Sequence, residues 1–536
     1  MKQIVPDASD IVDNQRVYTQ EGYAQTNVIR IDLETNTVPG VCEEDDLSGC
    51  TLDDVLADTN SGDQLKVDIP VQFVASDFAD DGAESNAELR QRGGGARIAP
   101  QKSFRLKLDD KDNLWRGERH LQLNKHPFER SRIRNKLSFD LMSRVPHLPS
   151  FRSQFVNLWI DDGEGPVNYG LYTHIERGDE RYIARRGFEE GNLYKASLFE
   201  FTQDNINSLV IDEAGEPVNE QVFETILEIE SGDDHRNLLA MANALHDPEL
   251  PFSEFLDRYF NDNNVLTWVT VNLLLGQRDV TRHNYFLYNP ESSEKFYFLP
   301  WDYDFAFQRF ILPENDLSAE ALQARLEYGY AFASPNVFLD QYFRQPGIHD
   351  RILEAAAEIR ASYLDNASIT TLRDELSEVI VPVASVEPDI THNPTFDDDN
   401  RLNAVGIVSD NESAMQNSFA LPMPPRLNEP ELSDDQWLLS WRRGHSATGD
   451  TLSYQLQIAT SPEFAADDIV VDIENIADAE ESVEQLVDNS SLLSGTHYAR
   501  VFARASSEPQ VYWQIADNRL RQDGQTYYGV VEFEVE

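Results

Sequence analysis

From Gln436 to the C-terminus the sequence breaks into short segments rich in Trp, Tyr, Val and Ile, and this run constrains the fold more than any other feature. "WLLSWRR", "LSYQLQIAT", "IVVDI", "THYARVFARA", "VYWQIA" and "YYGVVEFEVE" follow one another at regular spacing. Each is short for a helix and carries the β-branched and aromatic residues that fit a pleated, half-buried surface. Strands spaced like these close on one another as a small sandwich with its own core. Residues 178–275 and 315–382, by contrast, read mainly as helices. Helices and a sandwich of short strands do not share one core, so the chain divides. Its 536 residues also exceed what a single core fills.

Upstream of the sandwich the pattern is mixed. Residues 1–65 are acidic and loop-like, with "NVIRIDL" as one strand candidate, and read as an N-terminal extension. "LKVDIPVQFVAS" (65–76) alternates apolar and polar residues as a half-buried strand does. A glycine cluster, "RGGGAR" (92–97), leads into a strand predicted over Ser103–Leu108. Ile133, Leu137, Leu141 and Val145 lie four apart, which predicts an amphipathic helix over 131–145. Residues 153–176 predict a hairpin around an Asp/Gly turn, and 285–307 a second one whose later strand covers 295–307. Residues 388–425, rich in Asn and Asp and ending in Pro, read as a linker with a mobile start before a sandwich over 426–536.

The net charge of −51 arises from 95 Asp and Glu against 44 Lys and Arg, of which 9 are Lys. Such a surface suits the salty surroundings of a marine or salt-tolerant bacterium, where screening limits self-repulsion to about 10 Å. It excludes non-specific nucleic-acid binding, which needs cationic surface, and favours divalent cations and basic protein segments as partners. No run of about 18 apolar residues marks a membrane span. "MKQIVPDASDIVDNQ" lacks the apolar segment of a signal peptide, so export implies a leader removed before Met1. Cys42 and Cys50 sit in one Gly- and Asp-rich loop and read as a disulfide staple of an oxidising compartment, with free surface thiols as the alternative.

Four groups of residues carry chemistry. Arg92, Gly93, Gly94 and Gly95 form a turn between strands where backbone N–H groups can approach a phosphate, although a plain surface turn has the same sequence. Arg105 and Lys107 share the strand face opposite Phe104, Leu106 and Leu108. They point together into whatever the glycine turn covers, or else neutralise nearby acids. In "FLPWDYDFAF", Asp302 and Asp304 are two apart; if the strand continues, both carboxylates face one side, as a hard divalent cation requires. "GQRDVTRHNYFLY" sets Asp279 and Asn284 five apart. That is the spacing of the proton-accepting Asp and metal-holding Asn in protein-kinase catalytic loops.

In order, "RGGGAR…PQKSFRLKL", "RIRNKLSFDLM", "NYGLYTHIERGDERYI", "NLYK", "GQRDVTRHNYFLY" and "FLPWDYDFAF" resemble the blocks of the CotH kinase family, named for spore coat protein H. The likeness covers roughly residues 67–310, with helices to about 385 completing the unit. It implies an α+β, two-lobed atypical protein-kinase-like fold over 66–387, divided near 177, ahead of an all-β immunoglobulin-like sandwich. Within the sandwich, Trp441, Tyr454 and "LLSGTHYARVFA" resemble a fibronectin type III module, in which the Trp fills the core and Tyr498 is a corner tyrosine. A protein- or carbohydrate-binding platform is the alternative reading of those aromatics.

The resemblance implies an exported, extracellular or cell-surface kinase that takes ATP with Mg²⁺, or Mn²⁺ in its place. Its acceptor is then a Ser or Thr hydroxyl of a protein, a basic one or the chain itself. Asp279 becomes the catalytic Asp, Asn284 and Asp302 the metal ligands, and Asp304 their neighbour. Lys107 is the expected phosphate-contacting lysine, with Lys102 and Lys195 as rivals, and Glu176 lies near the presumed hinge to help place the nucleotide. The chain departs from the family at three places. The R-G-N-S turn reads Arg92-Gly93-Gly94-Gly95, the 131–145 helix offers Asp140 but no Glu, and the Phe-Gly after the W-D-Y-D block reads Phe307-Gln308. Nucleotidyl transfer on the same fold, or adhesion without turnover, are the competing functions.

Overall fold

The computed structural model describes residues 9–19, 23, 26–43, 46–60, 66–78, 84–310, 314–393, 396 and 402–536. It is an α+β chain that ends in all-β sheets. Alternating segments build the first layer: β1 (Val28–Thr35), β2 (Ile69–Ala75), β3 (Ala87–Arg92), β4 (Ser103–Leu108), β5 (His120–Asn124), β6 (Ser153–Asp161) and β7 (Val167–Ile175). They close into a barrel in the order β1-β2-β3-β4-β5-β7-β6. Ile31, Val71, Phe73, Leu89, Phe104, Leu106, Leu123 and Leu158 fill its interior, fully buried.

The N-terminal stretch is therefore more than an extension. β1 closes the barrel by pairing in parallel with β6, Ile29 opposite Val156 and Leu33 opposite Ile160. Without it β2 and β6 would be bare edges. Cys42 and Cys50 are joined by a disulfide in the same stretch, and the following Leu52–Ala57 helix is held by the Gln91 amide, which donates to the Val55 and Leu56 carbonyls at 2.6 and 2.9 Å.

The second layer is a sheet of order β11-β10-β8-β9, made of β8 (Gly191–Ala196), β9 (Leu227–Ser231), β10 (Tyr285–Pro290) and β11 (Tyr297–Pro300), with helices around it. At its centre the Asp262–Leu275 helix is buried from Asn264 to Leu275. Asn261 caps its start and Gly276, in the left-handed region, ends it. The helix expected over 131–145 spans Arg134–Met142 and is not amphipathic. Asn135, Lys136, Ser138 and Asp140's neighbours Phe139 and Leu141 are all buried, because β6 packs on one side and the Tyr303–Phe305 turn on another.

The expected linker is also overturned. Asp389 is 1% exposed and pairs with Lys125 at 2.9 Å and Arg132 at 3.7 Å, pinning the chain back onto the barrel. Ala404–Ser418 is a helix along the Asp262–Leu275 helix. Its Asn411 donates to the Leu274 and Gln308 carbonyls and accepts from the Phe310 N–H. Ile407, Val408 and Met415 are buried there, which the polar composition around them conceals. The rest of the expected mobile start, 394–395 and 397–401, lies outside the described residues.

The C-terminal part is a four-stranded sheet facing a five-stranded one. Trp441 and Tyr454 are fully buried between them with ring centroids 5.6 Å apart, so these aromatics pack the core rather than form a platform. Tyr498 directs its hydroxyl toward the Gln522 side chain at 3.5 Å. The sandwich is fastened to the helical part, not tethered to it. Leu322 and Leu326 join Phe502, Trp513 and Ile515 in one apolar cluster. Arg325 lies 3.5 Å over the Trp513 ring, and Arg442 donates to both Asp340 oxygens at 2.6 and 3.0 Å. Among the described residues no helix is long and apolar enough to cross a membrane.

Candidate active site

β11 stops at Pro300, and Asp302 turns the chain through the left-handed region at φ 52° and ψ 71°. The strand therefore does not run on through the two acids, as the two-residue spacing suggests. A tight Tyr303–Phe305 turn brings them together instead. One ligand atom each from Asp302, Asp304 and His126 lie within 4.8 Å of one another. Asn135 fixes this turn from the Arg134–Met142 helix: its amide donates to Asp302 Oδ1 at 3.2 Å, and its oxygen accepts the Tyr303 N–H at 3.1 Å. Burial and the Asp304 charge raise the Asp302 carboxyl above the usual carboxylate range, while His126, Arg92 and Lys195 draw it back. Two acids held this close are the setting that a cation relieves.

Gly276 releases the chain from the central helix into the loop before β10. There Asp279 accepts from the Asn284 amide at 2.9 Å and lies 2.7 Å from His283 Nε2. Gln277 is fully buried and ties loop to turn, donating to the Asp302 carbonyl at 3.0 Å and accepting from the Asp279 N–H at 3.4 Å. Asn284 at φ 63° and Asp302 at φ 52° both hold a conformation that costs energy outside glycine. Such strain gathers at functional sites.

Between the barrel and the β8–β9 side of the second sheet lies a cleft of about 600 Å³. Lys66, Arg90, Arg92, Arg97, Arg105, Arg177 and Lys195 line it, against Glu224, Glu228 and Glu230. Gly93 and Gly94 form part of its rim, and Gly93, at φ 84°, makes the turn that an L side chain would resist. Burial lowers Arg92 to about 10, opposed chiefly by the charge of Asp302. Arg105 is also lowered to about 10, by burial and by Arg90. Lys195 Nζ meets Glu228 at 2.7 Å.

Of the residues singled out in the sequence, the structure thus gathers Asp279 with Asn284, Asp302 with Asp304, and Arg92, Gly93, Gly94, Arg105 and Lys195 on the cleft. It separates others. Lys107 shares the face of Arg105 but sits about 7 Å further along the strand, where it pairs with Glu88 at 2.9 Å outside the cleft lining. Lys102 donates to the Arg97 carbonyl, and Gly95 begins a short turn beyond the cleft. Glu176 is fully buried, and Arg186, Arg152 and Arg185 hold its carboxyl low against the opposing effect of burial. That clamp leaves it no part in placing a nucleotide. His126, Asn135, Gln277, His283 and Glu228 are site residues that sequence reasoning passed over. Asn135, Gln277 and His283 carried a signal, by standing in the "RIRNKLSFDLM" and "GQRDVTRHNYFLY" blocks; His126 and Glu228 carried none.

A family model described as CotH kinase protein matches residues 89–418. Inner spore coat protein H of Bacillus subtilis (strain 168) is 26% identical over 272 residues, which is 50% of this chain and 70% of that protein. Among solved structures, the Shewanella oneidensis MR-1 toxin–antitoxin HipA, HipB and operator DNA complex aligns at 13% identity over 63% of this chain and 67% of that one. Its TM-score of 0.18 is too low to indicate a shared fold.

Proposed function

The chain belongs to the CotH kinase protein family, and from that premise we propose that it is an ATP- and divalent-metal-dependent kinase acting on Ser or Thr hydroxyls of a protein. The barrel and the helical part are then its two lobes. The observation that carries this reading is the junction of the cationic cleft with the Asp302–Asp304–His126 cluster, made by Arg92, which lines the one and acts on the other. Phosphoryl transfer requires chiefly that phosphates be held and their charge offset. In a chain of net charge −51, cations concentrated on one cleft are otherwise hard to account for.

The donor set fits Mg²⁺ or Mn²⁺. Asp302 and Asp304 offer carboxylate oxygens, and Asn284 keeps its amide oxygen free of the bond its nitrogen makes to Asp279; His126 adds a nitrogen that Mn²⁺ accepts. Bound there, the cation would supply positive charge that offsets the charge developing in transfer. The chain's own groups do the rest. Arg92, Arg105 and Lys195 neutralise the phosphates, and the Gly93 turn leaves backbone N–H groups open to them. Asp279 takes the proton of the acceptor hydroxyl as its oxygen bonds to the γ-phosphorus; the bond to the β,γ-bridging oxygen breaks and ADP leaves. Asn284 and His283 hold the Asp279 carboxylate in place. We also read the protein as exported and surface-associated, which the Cys42–Cys50 disulfide supports and the coat location in the relative's name favours.

Intact-mass measurement tests the reading. The full chain is incubated with ATP, Mg²⁺ or Mn²⁺ and acceptor proteins, beside Asp279→Ala. A gain of about 80 Da per phosphate, in the wild type only, is expected. A gain of about 329 Da would mean nucleotidyl transfer instead. No gain with either metal, and no stabilisation by ATP, would leave a surface-binding protein without turnover.

A further inference from the structure

His126 is the member of the Asp302–Asp304–His126 cluster that the barrel supplies. It lies just beyond β5, whereas both acids follow β11 of the second sheet. Its backbone is braced. His126 holds φ 48°, in the left-handed region, and its carbonyl accepts from the Arg132 guanidinium at 2.7 Å and from the Glu129 N–H at 3.1 Å. Arg132 also donates to the Lys125 carbonyl and to the Gln101 side chain, and is itself paired with Asp389. Strain upheld by so many bonds is characteristic of functional positions.

The imidazole, by contrast, is poorly served by its neighbours. It is 7% exposed. Nδ1 lies 3.4 Å from Asp304 Oδ2, longer than an ordinary hydrogen bond, and among the described residues Nε2 has no hydrogen-bond partner. A buried nitrogen left unpaired is costly, and a metal ion relieves that cost. Ligand atoms about 2.1 Å from one ion stand about 3 Å apart when adjacent and about 4 Å apart when opposite. The His126–Asp304 edge is therefore near a coordination spacing, and the whole cluster, within 4.8 Å, needs little tightening.

Magnesium is not the ion that such a cluster suits best. Mg²⁺ keeps several waters and is ordinarily held by one or two carboxylates together with substrate phosphates. Imidazole nitrogen favours first-row transition ions, and among these Mn²⁺ also takes the carboxylate oxygens that Asp302 and Asp304 offer. We propose that His126 is a direct metal ligand that makes this site selective for Mn²⁺ over Mg²⁺ and lets it hold the ion without nucleotide, an inference that rests on the placing of a cation at Asp302 and Asp304 in the kinase reading but not on transfer itself. His126 then ties the barrel to the helical part through the ion.

The test uses the full chain without nucleotide. Mn²⁺ is titrated in and the free ion followed by electron paramagnetic resonance, with Mg²⁺ as competitor. One Mn²⁺ is expected to bind with a Kd at least about tenfold below that of Mg²⁺. In His126→Gln, Mn²⁺ binding weakens about tenfold and the preference falls below about threefold. Weak binding to the acidic surface is told apart by its indifference to this substitution. Spin-echo modulation from an imidazole nitrogen on the bound Mn²⁺, expected in the wild type and in His283→Gln, decides the ligand even if His126→Gln misfolds. Equal Kd values for the two ions, a preference unchanged in folded His126→Gln, no Mn²⁺ bound without nucleotide, or bound Mn²⁺ with no nitrogen modulation overturns the proposal. So does modulation that disappears in His283→Gln, which would make His283 the ligand. Phosphoryl transfer is scored separately, by intact mass. Selective Mn²⁺ binding with no phosphate gained upholds the His126 site and sinks the kinase; phosphate gained equally with either metal, and no nucleotide-free Mn²⁺, does the reverse.

Discussion

At the scale of single residues, the acids of this chain divide by what surrounds them. Asp302 is held beside Asp304 with one neutral partner, Asn135, on its carboxylate. Removing a group that orients a metal ligand typically weakens the metal by about tenfold or more. Asn135→Ala is therefore expected to raise the Mg²⁺ concentration for half-maximal ATP-induced stabilisation by about tenfold; an unchanged titration would show that Asp302 needs no such support. Glu176 is the opposite case. It lies among Arg152, Arg185 and Arg186 with no exposure, so Glu176→Ala strands buried cations and is expected to cost about 3–5 kcal/mol. A lower urea midpoint with an unchanged KM for ATP would bear this out, and a raised KM without loss of stability would return Glu176 to the nucleotide. Sequence could not separate these two roles. A carboxylate at a strand end looks the same whether it meets arginines or a ligand, and here the arginines come from two other segments.

Among the elements, those whose burial follows a simple period were readable. β4 alternates Phe104, Leu106 and Leu108 with polar neighbours and falls where the alternation puts it. The Ala404–Ser418 helix was not readable, because Ile407, Val408 and Met415 stand among Gly, Ser, Asp and Asn and its helical state depends on packing against the central helix. That packing converges on Gly276. A Cβ there would stand 1.9 Å from the Gln308 carbonyl oxygen and 2.7 Å from Asn411 Nδ2, on a backbone already at φ 61°. Gly276→Ala is expected to destabilise the chain by more than about 2 kcal/mol and to lower phosphoryl transfer by displacing the Asp279 loop. Gly449→Ala is the control: its φ is 77° with nothing within 4 Å, so it should cost about 1 kcal/mol and leave activity intact. Similar melting temperatures for the two variants would mean that the close approach at Gly276 is not maintained in solution.

For the whole molecule, the seam between helical part and sandwich should respond to acid. His349, in the Ile348–Ser362 helix, stacks on His445 of the sandwich with centroids 6.0 Å apart. Burial lowers both imidazoles to about 4; His445 acts further on His349, while Arg344 and Arg443 lower His445 against Asp340. In the unfolded chain an imidazole titrates near 6.5. Between about 4 and 6.5 the unfolded state thus binds more protons, and stability present above pH 6.5 is lost as pH falls through that window. Calorimetry at pH 7.5, 5.5 and 4.5 should show a falling melting temperature, with a shallower slope in His445→Gln; equal slopes would remove the seam from the acid response. What the sequence determined by itself was local. Its periods and turns marked β1, β2, β4, the β6–β7 hairpin and most sandwich strands, though neither β5 nor the Ser482–Asp488 strand, and its spacing marked Asp279, Asn284, Asp302 and Asp304, because backbone geometry and side-chain direction repeat over a few residues. Tertiary structure alone decided that β1 closes the barrel, that Lys195 and Arg92 rather than Lys107 reach the cleft, and that the sandwich contributes to the wall of a cavity Asp279 lines. Those outcomes are sums of many weak contacts between distant segments, and no single window of sequence contains them.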